Sequence, residues 1–294
     1  MLALLIMMGS GVFLTKQKIL DAPTSAKLSK MILVLFNPML SLANALKAAG
    51  QVPLSRLGLI ALISVGMHVI FLTVGGLLAP FFDKDPFQKR MYELMMGFPN
   101  VGFIGIPVVS TVVGPEYVIY VTEFMIIYNV VFYTYGMALM DGKFSLSALK
   151  AMVTPANGMI LASLVIVVAD IHLPDFLETA ITYLGNVASP MSLVTVGFTL
   201  ANADLRRIFG NLPLYVFSLV KLLLLPLALL PVLRLLPLEP ELVAVCVILL
   251  GMPVGNMPLI LGTERGLDCN NCSAGIIMTT LLCVVTVPIL MVFV

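Results

Sequence analysis

The sequence predicts an all-α membrane protein of ten spanning helices. Three observations predict it: an apolar composition, apolar stretches that recur from end to end, and a one-sided distribution of basic residues. Of the 294 residues, 60% are hydrophobic and 11% charged, and the mean hydropathy is +1.10. A soluble domain carries about 25% charged residues, so this chain has too little charge to coat a water-facing surface. Its net charge of +1 leaves no basic face able to neutralise a phosphate backbone, which argues against a nucleic-acid partner. No polar stretch is long enough for a separate soluble domain, so the chain's solvent is membrane lipid.

Crossing the hydrocarbon core takes about 20 apolar residues. Hydropathy places segments at 1–15, 28–46, 56–81, 90–112, 116–139, 152–171, 177–200, 212–235, 240–262 and 270–294. Met1 to Phe13 has no basic n-region and no small-residue cleavage site, and reads as a short first span rather than a signal peptide. The sixth segment is the shortest; the seventh is semi-polar but continuous. Loops after odd-numbered segments hold Lys16, Lys18, Lys27, Lys30, Lys84, Lys89, Arg90, Lys143, Lys150, Arg206, Arg207 and Arg265, whereas the opposite side has Lys47, Arg56 and Arg234. That bias, 12 against 3, puts the first set in the cytoplasm and both termini outside, which requires an even number of spans.

The chain also repeats itself. Asn37-Pro38-Met39 in segment two is matched by Ser189-Pro190-Met191 in segment seven, at an offset of 152. Gly97-Phe98-Pro99 in segment four is matched by Gly251-Met252-Pro253 in segment nine, offset by 154. His68 in segment three stands 153 residues before Lys221 in segment eight. The chain therefore divides into a first five-helix repeat, 1–139, a cytoplasmic linker, 140–151, and a second repeat, 152–294. Five is an odd number, so the second repeat enters the membrane with opposite topology. Inverted repeats of this kind mark secondary transporters.

Segments four and nine carry the breaks. Gly97 to Pro107 contains Pro99, Asn100, Val101, Gly102 and a second proline; Gly251 to Pro258 contains Pro253, Gly255, Asn256 and a second proline. Proline removes a backbone donor and clashes with the preceding turn, and glycine weakens a helix by about 1 kcal/mol against alanine. Unwound backbone in a membrane is tolerated only where protein or a water-filled cavity covers it. Such breaks offer an anion the N–H groups and positive dipole end of a half-helix, to which Asn100 and Asn256 add side-chain amides. A proline-kinked helix packed through glycine explains one such segment. Two of them at matched positions, each with an asparagine, point to a binding site.

These residues resemble a known family. Gly97 to Pro107, with its Pro99-Asn100 and Gly105-Ile106-Pro107 elements, resembles the fourth helix of the auxin efflux carrier (PIN-like) family. Pro253 to Pro258, followed by Gly262 to Asp268, resembles that family's ninth helix and the loop after it, and Lys221 to Pro226 its eighth helix. The resemblance covers essentially the whole chain. It implies two inverted five-helix repeats in a bile-acid symporter-like fold, with helices four and nine crossing at Pro99 and Pro253 and Asn100 touching the substrate. It further implies a scaffold of helices one, two, six and seven that dimerises, and a transport domain formed by the rest. The short linker, Met140 to Ala151, is similar to that of compact bacterial members, which are linked to small organic anions such as malate or malonate and act at the plasma membrane. Asn256 departs from the plant pattern, in which an apolar residue is usual, and this counts against an auxin-like substrate.

Ionisable groups within spans are costly and function is their default reading. Lys221, His68 and Glu123 lie inside segments eight, three and five. Each has two readings: a charge-compensating or ion-coupling group, or a bundle-facing side chain paired with a carbonyl. Asn129, in the same segment as Glu123, either lines the cavity or bridges helices. No P-loop, HExxH or GxSxG motif is present, so an enzyme is not expected and no cofactor is called for. The energy source implied is a proton or sodium gradient, and a channel is the remaining class, since broken helices also line pores. Cys269-Asn-Asn-Cys272 has the spacing of a metal or redox pair but lacks a second pair, and His172 beside Asp170 and Asp175 reads as a surface cluster, so no metal is expected.

Overall fold

The computed structural model describes residues 2–50, 53–142, 153–202 and 210–294. Most of the expected linker, 143–151, and the basic residues Lys143, Lys150, Arg206 and Arg207 lie outside the described residues. The described chain is helical: α1 Leu2–Lys16, α2 Ala22–Ala48, α3 Leu54–Phe82, α4 Pro86–Gly97, α5 Val101–Val112, α6 Pro115–Asp141, α7 Pro155–Val168, α8 Asp175–Ala201, α9 Leu212–Arg234, α10 Pro240–Leu250, α11 Met257–Glu264 and α12 Asn270–Phe293. Six of these, α2, α3, α6, α8, α9 and α12, are long and apolar enough to cross a membrane; α1, α5, α7 and α10 are shorter apolar helices. The two segments expected to break do so, segment four into α4 and α5 and segment nine into α10 and α11.

Local chemistry sets the helix boundaries. Asp85 precedes α4 and accepts the Phe87 and Gln88 N–H groups at 2.9 Å, with Pro86 in the first turn where a missing N–H costs nothing. Thr154 caps α7 ahead of Pro155, and Asn211 caps α9 ahead of Pro213. Asp21 caps α2 by accepting the Thr24 N–H, and bonding from the Thr24 hydroxyl and N–H holds its carboxyl below the usual carboxylate range. Gly142 ends α6 in the left-handed region at φ 68°, where only glycine is unstrained.

Three helix-interior prolines are accommodated in one way. Pro38, Pro107 and Pro226 each follow, by two residues, a wide π-type turn: Ile32–Phe36, Val101–Gly105 and Val220–Leu224. In the first and third, the residue before the proline bonds five residues back, Asn37 to Ile32 O and Leu225 to Val220 O. The wider turn moves the carbonyl that a proline ring would strike.

The chain forms two compact units. The first comprises Met1–Ile63, Gly102–Ile127 and Ala151–Asn202, the second Ser64–Val101, Tyr128–Lys150 and Ala203–Val294. Within the first, α1 crosses α8 at a pair of glycines: a Cβ on Gly11 would stand 2.1 Å from the Val194 carbonyl oxygen, and one on Gly197 2.1 Å from that of Met8. Lipid supplies no hydrophobic drive for helices to associate, so small residues that let backbones meet do so instead. Within the second unit, α12 packs on α4 and α9. There Asn271 donates to Asp83 Oδ2 and to Gln88 Oε1, both at 3.1 Å. The Cys269 and Cys272 thiols on either side of it are buried and unlinked; Asn271, the third residue of that four-residue motif, ties the chain together at its polar end.

Candidate functional site

The two broken segments are joined backbone to backbone inside the second unit. Asn100 N–H donates to Pro253 O at 2.8 Å and Gly255 N–H donates to Phe98 O at 2.8 Å, forming an isolated antiparallel bridge between Pro99 and Val254. Both prolines stand where the chain needs no donor. Gly255 is required by this approach, because a Cβ there would lie 2.7 Å from the Phe98 carbonyl oxygen.

The other polar groups at the break are also satisfied. Phe98 N–H bonds to Leu94 O at 3.0 Å. Val254 N–H donates to Thr279 Oγ1 at 3.0 Å, and that hydroxyl passes its own hydrogen to Gly275 O at 2.6 Å. Met96 O, at the carbonyl end of α4, accepts Lys221 Nζ at 2.9 Å. Each of these groups left unpaired in hydrocarbon would cost several kcal/mol. Seven polar backbone atoms at the break, including the four in the bridge, therefore have partners drawn from four segments of the second unit.

Pro99, Asn100, Val101, Pro253, Gly255 and Asn256 are thus brought together. Asn100 is 5% exposed, whereas Asn256 is half-buried at the start of α11, its carbonyl accepting Ile260 N–H at 2.9 Å. Lys221 is fully buried on the π-type turn of α9, with the Phe71 ring centroid 5.0 Å from its ammonium. His68 is buried, with Phe98 and Tyr128 ring centroids at 6.3 and 6.0 Å. Its Nδ1 lies 2.8 Å from Ser64 O, which fixes that nitrogen as the protonated one, since a carbonyl only accepts. Phe98 packs edge-on against Tyr128 and Phe132, at 5.3 and 4.8 Å. Asn129 follows Tyr128 and is half-buried.

Gly102 and Glu123 fall in the first unit. Gly102 O accepts Asn37 Nδ2 at 3.3 Å, and Asn37 is 2% exposed. In the sequence, Asn37 stands out only as a repeat marker. Glu123 is 4% exposed and follows Thr122, whose hydroxyl bonds to Ser41 at 3.1 Å. Among the described residues, Glu123 Oε2 has no hydrogen-bond partner.

Sequence reasoning missed Thr279 and Met96. Thr279 sits in a run of small polar and apolar residues, and Met96 acts through its backbone, so neither carried a signal.

The family described as "Membrane transport protein" matches the chain twice, over residues 1–152 and again over 144–291. No curated protein matches it.

Proposed function

Because this chain belongs to the membrane transport protein family, which takes in the auxin efflux carriers, we propose that it is a secondary active transporter for a small organic anion. The substrate class is a mono- or dicarboxylate such as malate or malonate, carried across the plasma membrane by alternating access. In this reading the chain spans the membrane ten times as two inverted repeats, with both termini outside, and works as a homodimer.

The observation that carries the reading is the bridge between Pro99 and Val254. It sets irregular backbone, two asparagines and the starts of α5 and α11 among apolar helices, and broken helices of this kind form the binding sites of secondary transporters. A carboxylate suits the chemistry of the Asn100 and Asn256 amides and of the positive ends of half-helices. Pro99, Val101, Pro253 and Gly255 shape the backbone around it, and Asn129 adds an amide. Lys221 compensates negative charge, and His68 and Glu123 are candidates for proton or sodium coupling.

The test is counterflow in proteoliposomes loaded with unlabelled malonate or malate. Saturable exchange of external labelled substrate supports the carrier. Exchange with a different solute class leaves the carrier reading but removes the carboxylate. Non-saturating flux without exchange marks a channel and overturns the proposal.

A further inference from the structure

In the second unit, the middle of α4 carries a carboxylate that the crossover does not use. Glu93 is half-buried and lies against α3 where α3 has two consecutive glycines. A Cβ on Gly75 would stand 3.1 Å from Glu93 Cα, and one on Gly76 would stand 3.3 Å from Glu93 Oε2. The glycine pair lets the carboxylate rest on the helix backbone itself. Its other oxygen, Oε1, accepts the Tyr135 hydroxyl at 2.7 Å. Among the described residues no lysine, arginine or histidine is paired with it.

Tyr135 belongs to a π-type turn, Phe132–Gly136, within α6, and turns of this kind cluster at functional sites. The next residue, Gly136, is pressed onto Phe98: a Cβ there would lie 3.1 Å from two ring atoms of Phe98. Phe98 supplies the carbonyl that accepts Gly255 N–H in the bridge. Two consecutive residues of one turn therefore touch the carboxylate and the crossover.

We propose that Glu93, seated on Gly75 and Gly76 and held by Tyr135, is the proton-binding site of the carrier, and that the Phe132–Gly136 turn relays its protonation state to the crossover. This rests on the transport reading above and names its coupling ion. The proton adds to Oε2, the oxygen facing Gly76, while Oε1 keeps the hydrogen bond from Tyr135; no other bond changes. Few other charges face it. On its own helix Lys89 and Arg90 lie one turn earlier, and the Arg90 guanidinium is turned over the Phe87 ring. On the elements packed against α4, α3 carries His68 two turns earlier, α6 carries Asp141, which is paired with Arg265 at 3.2 Å, and α9 carries Lys221, whose ammonium is held by Met96 O. α12 carries no charged side chain.

The test uses the full-length protein in proteoliposomes with radiolabelled malonate. Glu93→Gln retains the acceptor for Tyr135 but cannot exchange a proton. It is expected to keep counterflow within about twofold of wild type while accumulation driven by a pH gradient falls to the equilibrium level. Tyr135→Phe is expected to move the pH at which gradient-driven uptake is half-maximal. Gradient-driven accumulation by Glu93→Gln at the wild-type level, or loss of its counterflow together with an unmoved pH profile in Tyr135→Phe, overturns the proposal. If the wild type shows no counterflow of malonate, it is the transport reading that fails. The proton site is then decided by infrared titration of the purified protein: a carboxylic-acid band lost in Glu93→Gln supports it, and an unchanged band overturns it.

Discussion

Lys221 Nζ meets the Met96 carbonyl at 2.9 Å, so a lysine of α9 caps the carbonyl end of the half-helix that the crossover interrupts. A helix C-terminus carries partial negative charge, and Met96 O is among the carbonyls there without an intrahelical partner. The ammonium satisfies that carbonyl and turns a second face to the Phe71 ring at 5.0 Å, a cation–π contact favoured where water is absent. The lysine thereby holds the end of α4, three residues before Pro99.

Lys221→Met should therefore leave a folded protein that fails to transport. The orphaned carbonyl costs about 1–3 kcal/mol, and removal of a buried charge offsets part of that, so thermal unfolding should shift little. Gradient-driven uptake should fall at least about tenfold, a loss of about 1.4 kcal/mol. Uptake by this variant at the wild-type rate would make Lys221 a passive filler.

Gly255→Ala tests the close approach of the two breaks. The added methyl meets the Phe98 carbonyl oxygen at 2.7 Å, and backbone cannot rotate away as a side chain can. Overpacking of this kind costs about 1–3 kcal/mol. Lower thermal stability and loss of uptake are expected together. Gly158→Ala, where a methyl meets nothing within 4 Å, is the control and should be neutral or slightly stabilising. Equal behaviour of the two variants would show that the bridge tolerates separation.

Thr279 separates hydroxyl chemistry from side-chain volume. Thr279→Val should destabilise by about 1–3 kcal/mol, because the Val254 N–H loses its acceptor in a buried setting. Thr279→Ser keeps the oxygen and should recover most of that. Thermal unfolding in detergent reads both, and a valine variant as stable as the serine variant would remove Thr279 from the crossover's support.

Much of this arrangement was legible in the sequence, for definable reasons. Apolar stretches of spanning length become helices because unpaired backbone in lipid is too costly. Pro99 with Gly97, and Pro253 with Gly251 and Gly255, mark both breaks. Other features depend on which residues meet. That Asn100 bonds to Pro253, and Lys221 to Met96 across 125 positions, has no local signature. Gly102 reads as a neighbour of Asn100 in sequence, yet it falls in the first unit with Asn37 on its carbonyl. Glu93 was visible as a carboxylate in segment four, but its glycine seat and its tyrosine come from two other helices.

The central claim, that the crossover binds a carboxylate, is tested most directly by a thermal-shift titration of purified wild type and Asn100→Ala against a panel of mono- and dicarboxylates. Wild type should be stabilised by one of them. In Asn100→Ala, with an unchanged melting temperature before ligand is added, affinity should weaken about tenfold to a hundredfold. That is the loss of one hydrogen bond to a charged group, about 1.5–3 kcal/mol. Equal affinity in the two proteins would contradict the claim and move the substrate away from Asn100.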